Sequence, residues 1–476
     1  MTSKYSTLPA ELWRWDAVDM ASAIRDRAVS SVEVVTASLD RLDAVNPRIN
    51  AIVSDMRDEA LAAAAAADAA VARGDPLDLL HGVPVTTKVT EDQAGHATTW
   101  GVVAFKDNIA KEDSPAIGNL KAAGAVVVGR TNSPAFGYSW WTDNDLHGCT
   151  RNPWSRDYTP GGSSGGASAS TAAGIAPIGQ GSDMIGSIRY PAYCTGLVGL
   201  RPSFGRVPVY RVTAVVEPPM SHQLMVTPGP LTRRVRDARI ALDVMSRGDL
   251  RDPWWAPAPL TGRPPNRPIR VAVSIDPAGV GVHPSVRAAI LQAAAALERA
   301  GYAVEEKDPP DFAAVAADLM NITRHEMPHY ATDNYERYGD ERLRRTYRRV
   351  MSNSPPASLV PYMEALARRT TWIRKWNLFL ADRPIVLCPT ACDPPFRQDV
   401  SNLGADAYAR MFPAMMPSYV VPLLGLPGVS VPTGLSDGLP TGVQLIAARF
   451  REDLVLDAAE VIEGACATTT PIDPRF

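Results

Sequence analysis

The 476-residue sequence predicts an α/β protein built on a large, mostly buried sheet, mixed or parallel. Three observations carry this. Short apolar runs alternate with helical stretches along most of the chain, which is the pattern of a sheet with covered faces. Gly-rich turns separate them. A hydrophobic fraction of 46% supplies a sizeable core.

Residues 16–73 read as helical. Ser31 is placed to cap SVEVVTASLDRLDAV, with Glu33 in the first turn. The Ala-rich run DEALAAAAAADAAVAR stops at Gly74, as a helix with a glycine stop should. Beyond residue 80 the texture changes: GVPVTTK reads as a strand, IGNLKAAGA as a helix end and VVVGRT as a buried strand. IRVAVSI, HPSVRAAILQAAAALERAG and YAVEEKD form a strand–helix–strand unit, whose helix opens near Pro284 and stops at Gly301. Residues 310–380 read as mostly helical. IVLCPT, GVSVPTG and GVQLIAA are strand-like, and EDLVLDAAEVIEGA is a closing helix. No Pro- or Ser-rich linker and no fixed-period repeat interrupts the chain. The expected division is one domain over residues 1–476, with a mostly helical insertion around 310–380.

Charge and composition exclude several functions. With 48 basic and 51 acidic residues the net charge is −3, which gives no general attraction to nucleic acid or acidic membranes. The N-terminus lacks an apolar signal core, and no run approaches the ~18 apolar residues of a membrane span. Five scattered cysteines, Cys149, Cys194, Cys388, Cys392 and Cys466, suit a reducing cytoplasm better than a disulfide framework. Cys388 and Cys392 read as buried thiols, not a zinc site. No metal and no cofactor is expected. The expected partner is a small-molecule amide-like substrate; a homodimer is left open.

The chemistry concentrates in residues 159–208, where GGSSGG and GSDMIGS flank an Ala-rich helical stretch. Glycine is needed where backbone turns tightly or approaches a ligand, and Ser with free N–H groups can make a nucleophile and an oxyanion site. Composition alone would allow two ordinary turns. The match is longer than that. GGSSGG (161–166) is followed by Gly181, Ser182, Asp183, Ser187, Ile188, Arg189, Pro191, Ala192, Gly196, Gly199, Leu200, Arg201, Pro202, Gly205, Arg206 and Val207. This pattern closely resembles the signature of the amidase signature family. HGVPVTTK, ATTWG, VVGRTN and TRNPW upstream, and GPLTRRVRDA, IVLCPT and GLPGVSVPTGLSDGLPTGVQLIAARFRED downstream, extend the resemblance over nearly the whole chain.

The resemblance implies a large mixed β-sheet covered by helices on both sides, and a serine hydrolase that cleaves a carboxylic amide, or a related aryl amide, ester or carbamate, through an acyl-enzyme. It implies Ser187 as nucleophile, Ser163, after a cis peptide, as proton relay and Lys88 as base. Physical chemistry constrains the base. A lysine with its reference pKa of about 10.4 is charged at neutral pH, so burial must lower it; Lys88 ends the apolar strand GVPVTT. The N–H groups of Met184, Ile185, Gly186 and Ser187 are the candidate oxyanion donors. Ser164, Asp183 and Arg189 are expected in support, the latter two bracing the loop by charge-assisted bonds.

The chain departs from the family at two places: Val89 follows the lysine where Asp is common, and Ile185-Gly186 precedes the nucleophile where Gly-Gly is usual. Two alternative functions follow. A partner-dependent amidotransferase subunit would have Gln at Tyr190 and Asp-Asn at Val89-Thr90; a non-catalytic protein on the same fold would not need intact Lys88, Ser163 and Ser187. Two other motifs are set aside. His325-Glu326-Met327-Pro328-His329 spells HExxH, but Pro328 should break the helix that motif requires. Gly162–Gly166 fits G-x-S-x-G, but that elbow needs a later His in the chain than His329. Tyr138, Trp140 and Trp141 can be core or pocket wall; as wall they would favour an aryl or bulky apolar substrate.

Overall fold

The structure, a computed structural model, describes residues 3–353, 355–356, 358–398, 404–466 and 469–476. Eleven strands form one sheet. They are β1 (Ile52–Asp55), β2 (Pro84–Lys88), β3 (Val126–Thr131), β4 (Ile178–Asp183), β5 (Val198–Arg201), β6 (Thr227–Thr232), β7 (Arg270–Val273), β8 (Ala303–Glu306), β9 (Ile385–Cys388), β10 (Gly428–Ser436) and β11 (Leu439–Ala447). Their order is β1-β3-β2-β4-β6-β5-β10-β11-β9-β7-β8. The sheet is mixed: β3-β2-β4 and β9-β7-β8 are parallel, while the centre from β4 through β9 is antiparallel.

Side chains alternate between the two faces with the strand period of two. On β9, Ile385 and Leu387 join one apolar cluster with Val271, Val431 and Leu445, packed by the helices Pro284–Arg299 and Glu452–Ala465. Val386 and Cys388 join another with Ala272 and Ile446, packed by Phe312–Tyr330, Leu359–Asp382 and Met416–Leu424. Helices therefore cover both faces, as the sequence leads one to expect.

Several boundaries differ. Ser30, not Ser31, caps the helix Ser31–Ile49: its hydroxyl accepts from Glu33 N–H, and Glu33 accepts in return from Ser30 N–H. The stretch 16–73 is not all helix, because β1 lies inside it and pairs with β3. The stretch 310–380 forms helices at Phe312–Tyr330, Thr332–Tyr338, Glu341–Asn353 and Leu359–Asp382; positions 354 and 357 lie outside the described residues. Strands β4, β5 and β6 are not readable in the sequence. IGQGSD and TPGPLT lack the alternation of a strand, and Pro argues against a central one, yet Pro228 and Pro230 pair in register with Ser182 and Gln180.

Candidate active site

Parallel pairing of β2 with β4 brings Lys88 and Ser182 to neighbouring strand ends. Lys88 is 1% exposed. Its Nζ lies 2.7 Å from Ser163 Oγ, 3.1 Å from Ser164 Oγ and 3.4 Å from Ser182 Oγ. The two adjacent serines come from the turn before the helix Gly165–Ala172, entered through a cis peptide between Gly162 and Ser163. Every residue of that helix is buried, which explains why it contains only Gly, Ala, Ser and Thr. Gly161 has φ +86°, and a Cβ there would meet Pro191 Cα at 2.5 Å; one on Gly162 would lie 2.3 Å from Ser139 O. Only glycine lets the turn sit this close to its neighbours.

The loop from Asp183 to Arg189 is organised by one buried carboxylate. Asp183 accepts from the N–H groups of Gly186 (2.8 Å), Ile188 (3.1 Å) and Arg189 (3.4 Å), and from Arg189 Nε and Nη2, both at 2.9 Å. Arg201 Nε stands 3.8 Å away. Burial works to raise the Asp183 pKa, but Arg189 and then Arg201 outweigh it and hold it at about 2. Arg189 is itself fixed by Gln444 Oε1 at 2.6 Å and Ser418 O at 2.9 Å. Asp183 and Arg189 thus brace the loop.

This geometry corrects one expected donor. The Gly186 N–H is given to Asp183 Oδ1, because a carboxylate kept ionised by two guanidiniums lies under the turn and is a strong acceptor. Gly186 has φ +101°, and a Cβ there would press on Ser418 at 2.9 Å. Ile185 stays out of the left-handed region, as a β-branched residue must. Among the described residues, the N–H groups of Met184, Ile185 and Ser187 meet no acceptor. Ser187 is 8% exposed and lines the same cavity as Ser163 and Lys88. Its carbonyl accepts from Ser164 N–H at 3.2 Å, which ties the two serine segments together.

Burial brings the Lys88 amine down to about 7; Glu91 opposes this, Arg211 assists it and Asp183 opposes it. Glu91, 3% exposed, is a participant that sequence reading missed. Its carboxyl is raised by burial, against the pull of Arg211 and Lys88, and hydrogen-bonds Ser182. The available signal was an acid three residues after the lysine, in a strand end too apolar to tolerate an unpaired charge.

The three catalytic candidates open into a cavity of 810 Å³. Tyr138, Trp140 and Trp141, undecided from sequence, are in its wall. Trp140 donates to Ile185 O at 3.3 Å, meets Phe412 edge-on at 5.4 Å and stacks on Tyr419 at 6.1 Å. The HEMPH segment needs correction. Its helix continues through Pro328 to Tyr330: the proline forfeits only its own bond to the carbonyl four residues back, and past it Ala331 N–H still reaches Met327 O. The His325 and His329 rings are 5.6 Å apart on one face. Glu326, however, is engaged by Ser221 N–H and Tyr362 OH, and no group of three or more metal-ligating side chains forms among the described residues.

The Amidase family profile matches residues 33–456. The chain is 46% identical over 454 residues to a protein of Bradyrhizobium diazoefficiens named indoleacetamide hydrolase, covering 95% of this chain and 87% of that one. It is 31% identical over 470 residues to the A component of a Glutamyl-tRNA(Gln) amidotransferase from Picosynechococcus sp., covering 92% and 95% respectively. Among solved structures it resembles a bacterial aryl acylamidase of the amidase signature enzymes, with TM-score 0.79 and 27% identity, covering 95% of this chain and 96% of that one.

Proposed function

The chain belongs to the amidase family and is a hydrolase of amide-type carbon–nitrogen bonds other than peptide bonds; on that premise we propose that Ser187 is the nucleophile, Ser163 the proton relay and Lys88 the base. One observation carries the reading: an amine that burial brings down to about 7, so that much of it is neutral at neutral pH, lies 2.7 Å from Ser163 Oγ at the floor of a cavity that Ser187 also lines. A serine hydroxyl needs a base to become a nucleophile, and a neutral lysine can be one.

Ser187 Oγ attacks the amide carbon as its proton passes through Ser163 to Lys88. The N–H groups of Met184, Ile185 and Ser187 receive the oxyanion; each such donor contributes on the order of 3 kcal/mol. Ser163 then returns the proton to the departing nitrogen, and water resolves the acyl-enzyme.

The aromatic wall at Trp140 and Phe412, together with the likeness to an indoleacetamide hydrolase, supports an amide of an aryl-bearing acid as substrate. The amidotransferase reading is disfavoured by lower identity and by Tyr190, whose hydroxyl accepts from Phe396 N–H as part of the packing. Five scattered cysteines, four of them buried, support a reducing, cytoplasmic setting; no helix among the described residues is long and apolar enough to cross a membrane. The single sheet supports one domain, with the helices of 310–380 as an insertion.

The experiment is direct. Purified chain alone should release ammonia from indole-3-acetamide, and a fluorophosphonate should label Ser187 and stop that release. Labelling elsewhere, or full activity after labelling, would sink the assignment.

A further inference from the structure

The two sides of the reacting bond have different walls. In the reading above, Ser163 protonates the leaving nitrogen, so the amine half of the substrate lies on the Ser163 side. There a Cβ on Gly137 would be 3.5 Å from Ser163 Oγ and 3.9 Å from Trp100, so Trp100 stands next to the relay. Arg211 lies over the Trp100 ring at 4.6 Å. The opposite side, around Trp140, Ile185 and Phe412, is mostly aromatic and apolar, with Arg324 beside Tyr419 and Tyr138 as its charged neighbour.

Arg211 and Arg324 both line the cavity with a buried, unpartnered Nε, and Arg211 is the one on the Trp100 side. It lines the cavity, yet its guanidinium makes no ion pair and no hydrogen bond among the described residues, and its Nε is buried without a partner. Its position is nonetheless fixed. Two residues on, Thr213 is tied to Asp92 through its N–H (2.9 Å) and its hydroxyl (2.7 Å). His222 shares the same wall, and its Nδ1 is also buried and unpartnered; burial and then Arg211 bring that imidazole down to about 4, so it is uncharged at neutral pH. The acids nearby are shared or peripheral: Glu91 feels Arg211 and Lys88 together and hydrogen-bonds Ser182, Asp183 holds Arg189, Glu326 holds Ser221 and Tyr362, and Asp107 is exposed at the rim. A guanidinium fixed on an aromatic face with free donors is a receptor for a carboxylate.

We propose that the amine half of the preferred substrate carries a carboxylate received by Arg211, so that the enzyme cleaves N-acyl amino acids with an aromatic acyl group. The reaction balances as an ordinary hydrolysis. The Ser187 Oγ–acyl bond forms and the carbon–nitrogen bond breaks. The proton from Ser187 goes to the nitrogen through Ser163, and the amino acid departs with its carboxylate intact. Water then releases the aryl acid. The cavity, at 810 Å³, lies in the upper part of the roughly 300–1,000 Å³ range of small-molecule sites and has room for both halves.

The test compares three amides of one acid: indole-3-acetamide, N-(indole-3-acetyl)glycine and the neutral N-propyl indole-3-acetamide, each followed by release of indole-3-acetate. The glycine conjugate should exceed the propylamide in kcat/KM by roughly tenfold or more, as a charge-assisted contact allows. The difference should lie mainly in KM and shrink with added salt. Arg211→Gln should reduce the ratio to near one, and Arg211→Lys should restore part of it. Equal rates for the two substituted amides in the unaltered enzyme, with indole-3-acetamide still cleaved, would overturn the proposal without touching the Ser187 assignment. A ratio that survives in Arg211→Gln would overturn it as well. Failure to cleave any of the three would overturn the substrate reading beneath it, and this proposal with it.

Discussion

Around Ser163 and Ser187 each segment is held from several directions, whereas residues 211–219 across the cavity are anchored chiefly at Thr213. The floor consists of strand ends, glycines without room for a Cβ, and a carboxylate that meets two buried arginines. The facing segment shows Val215 97% and Val216 71% exposed and gives the Arg211 guanidinium no ion pair or hydrogen bond among the described residues. The contrast separates two demands. Proton transfer tolerates little misplacement, so its groups sit on the sheet. Choice among substrates needs only a wall of suitable shape and charge, and a lightly anchored segment can change without disturbing the chemistry.

The largest effect should come from removing the base. Lys88→Met should lower kcat/KM by about a thousandfold or more, since relay and nucleophile work as a unit with it. It should also stabilise the fold. In the unfolded chain the lysine is protonated up to about 10.5, whereas in the fold it is protonated only below about 7. Folding at neutral pH therefore has to work against its charge; the cost is full below pH 7 and fades as pH rises towards 10.5. Methionine removes a cost on the order of a few kcal/mol. A Lys88→Met protein that melts well below the original would contradict this picture of the floor.

Asp183→Asn should come next, as a loss of stability of about 3–5 kcal/mol, because it leaves Arg189 and Arg201 buried without their counter-charge. Urea unfolding measures it; a loss under about 1 kcal/mol would mean the loop is held by other bonds.

Glu91→Gln tests the electrostatics with a smaller effect. Activity of the unaltered enzyme should fall as pH drops through the Lys88 value of about 7. Glu91 holds that value up, so without its charge the acid limb should move to lower pH. The plateau should lose less than the roughly hundredfold that an acid–base group contributes. An unmoved limb would show that Glu91 acts only by packing.

The smallest effect belongs to Ile185→Gly. The side chain packs partly buried beside Trp140; its loss should widen acyl acceptance and lower the rate on the preferred amide by roughly tenfold, as the oxyanion loop gains freedom. An unchanged acyl profile would remove Ile185 from the wall.

How much of this was legible follows the same division. Lys88, Ser163 and Ser187 stand in a long signature, and the Val-rich β3 and the Ala-rich helices declare themselves by composition. What escaped depends on tertiary neighbours. TPGPLT becomes a central strand only because β4 and β5 lie on either side of it. The Gly186 donor was lost to Asp183 because a bond between loop residues three apart cannot be seen in a one-dimensional pattern. Glu91 was passed over for Val89, its neighbour at the family's usual position. Pro328 was read by the rule for helix interiors, although it sits two residues from a helix end.

The bond from Arg189 to Gln444 Oε1 joins positions separated by more than half the chain. During synthesis the segments with Lys88, Ser163 and Ser187 leave the ribosome long before β11 exists, and contacts this distant in sequence close late. A nascent chain that stops before Leu439 holds the whole nucleophilic apparatus but lacks the amide that secures Arg189 and the strand that carries it. Such fragments should not hydrolyse amides, so the cell meets this reactivity only in finished molecules.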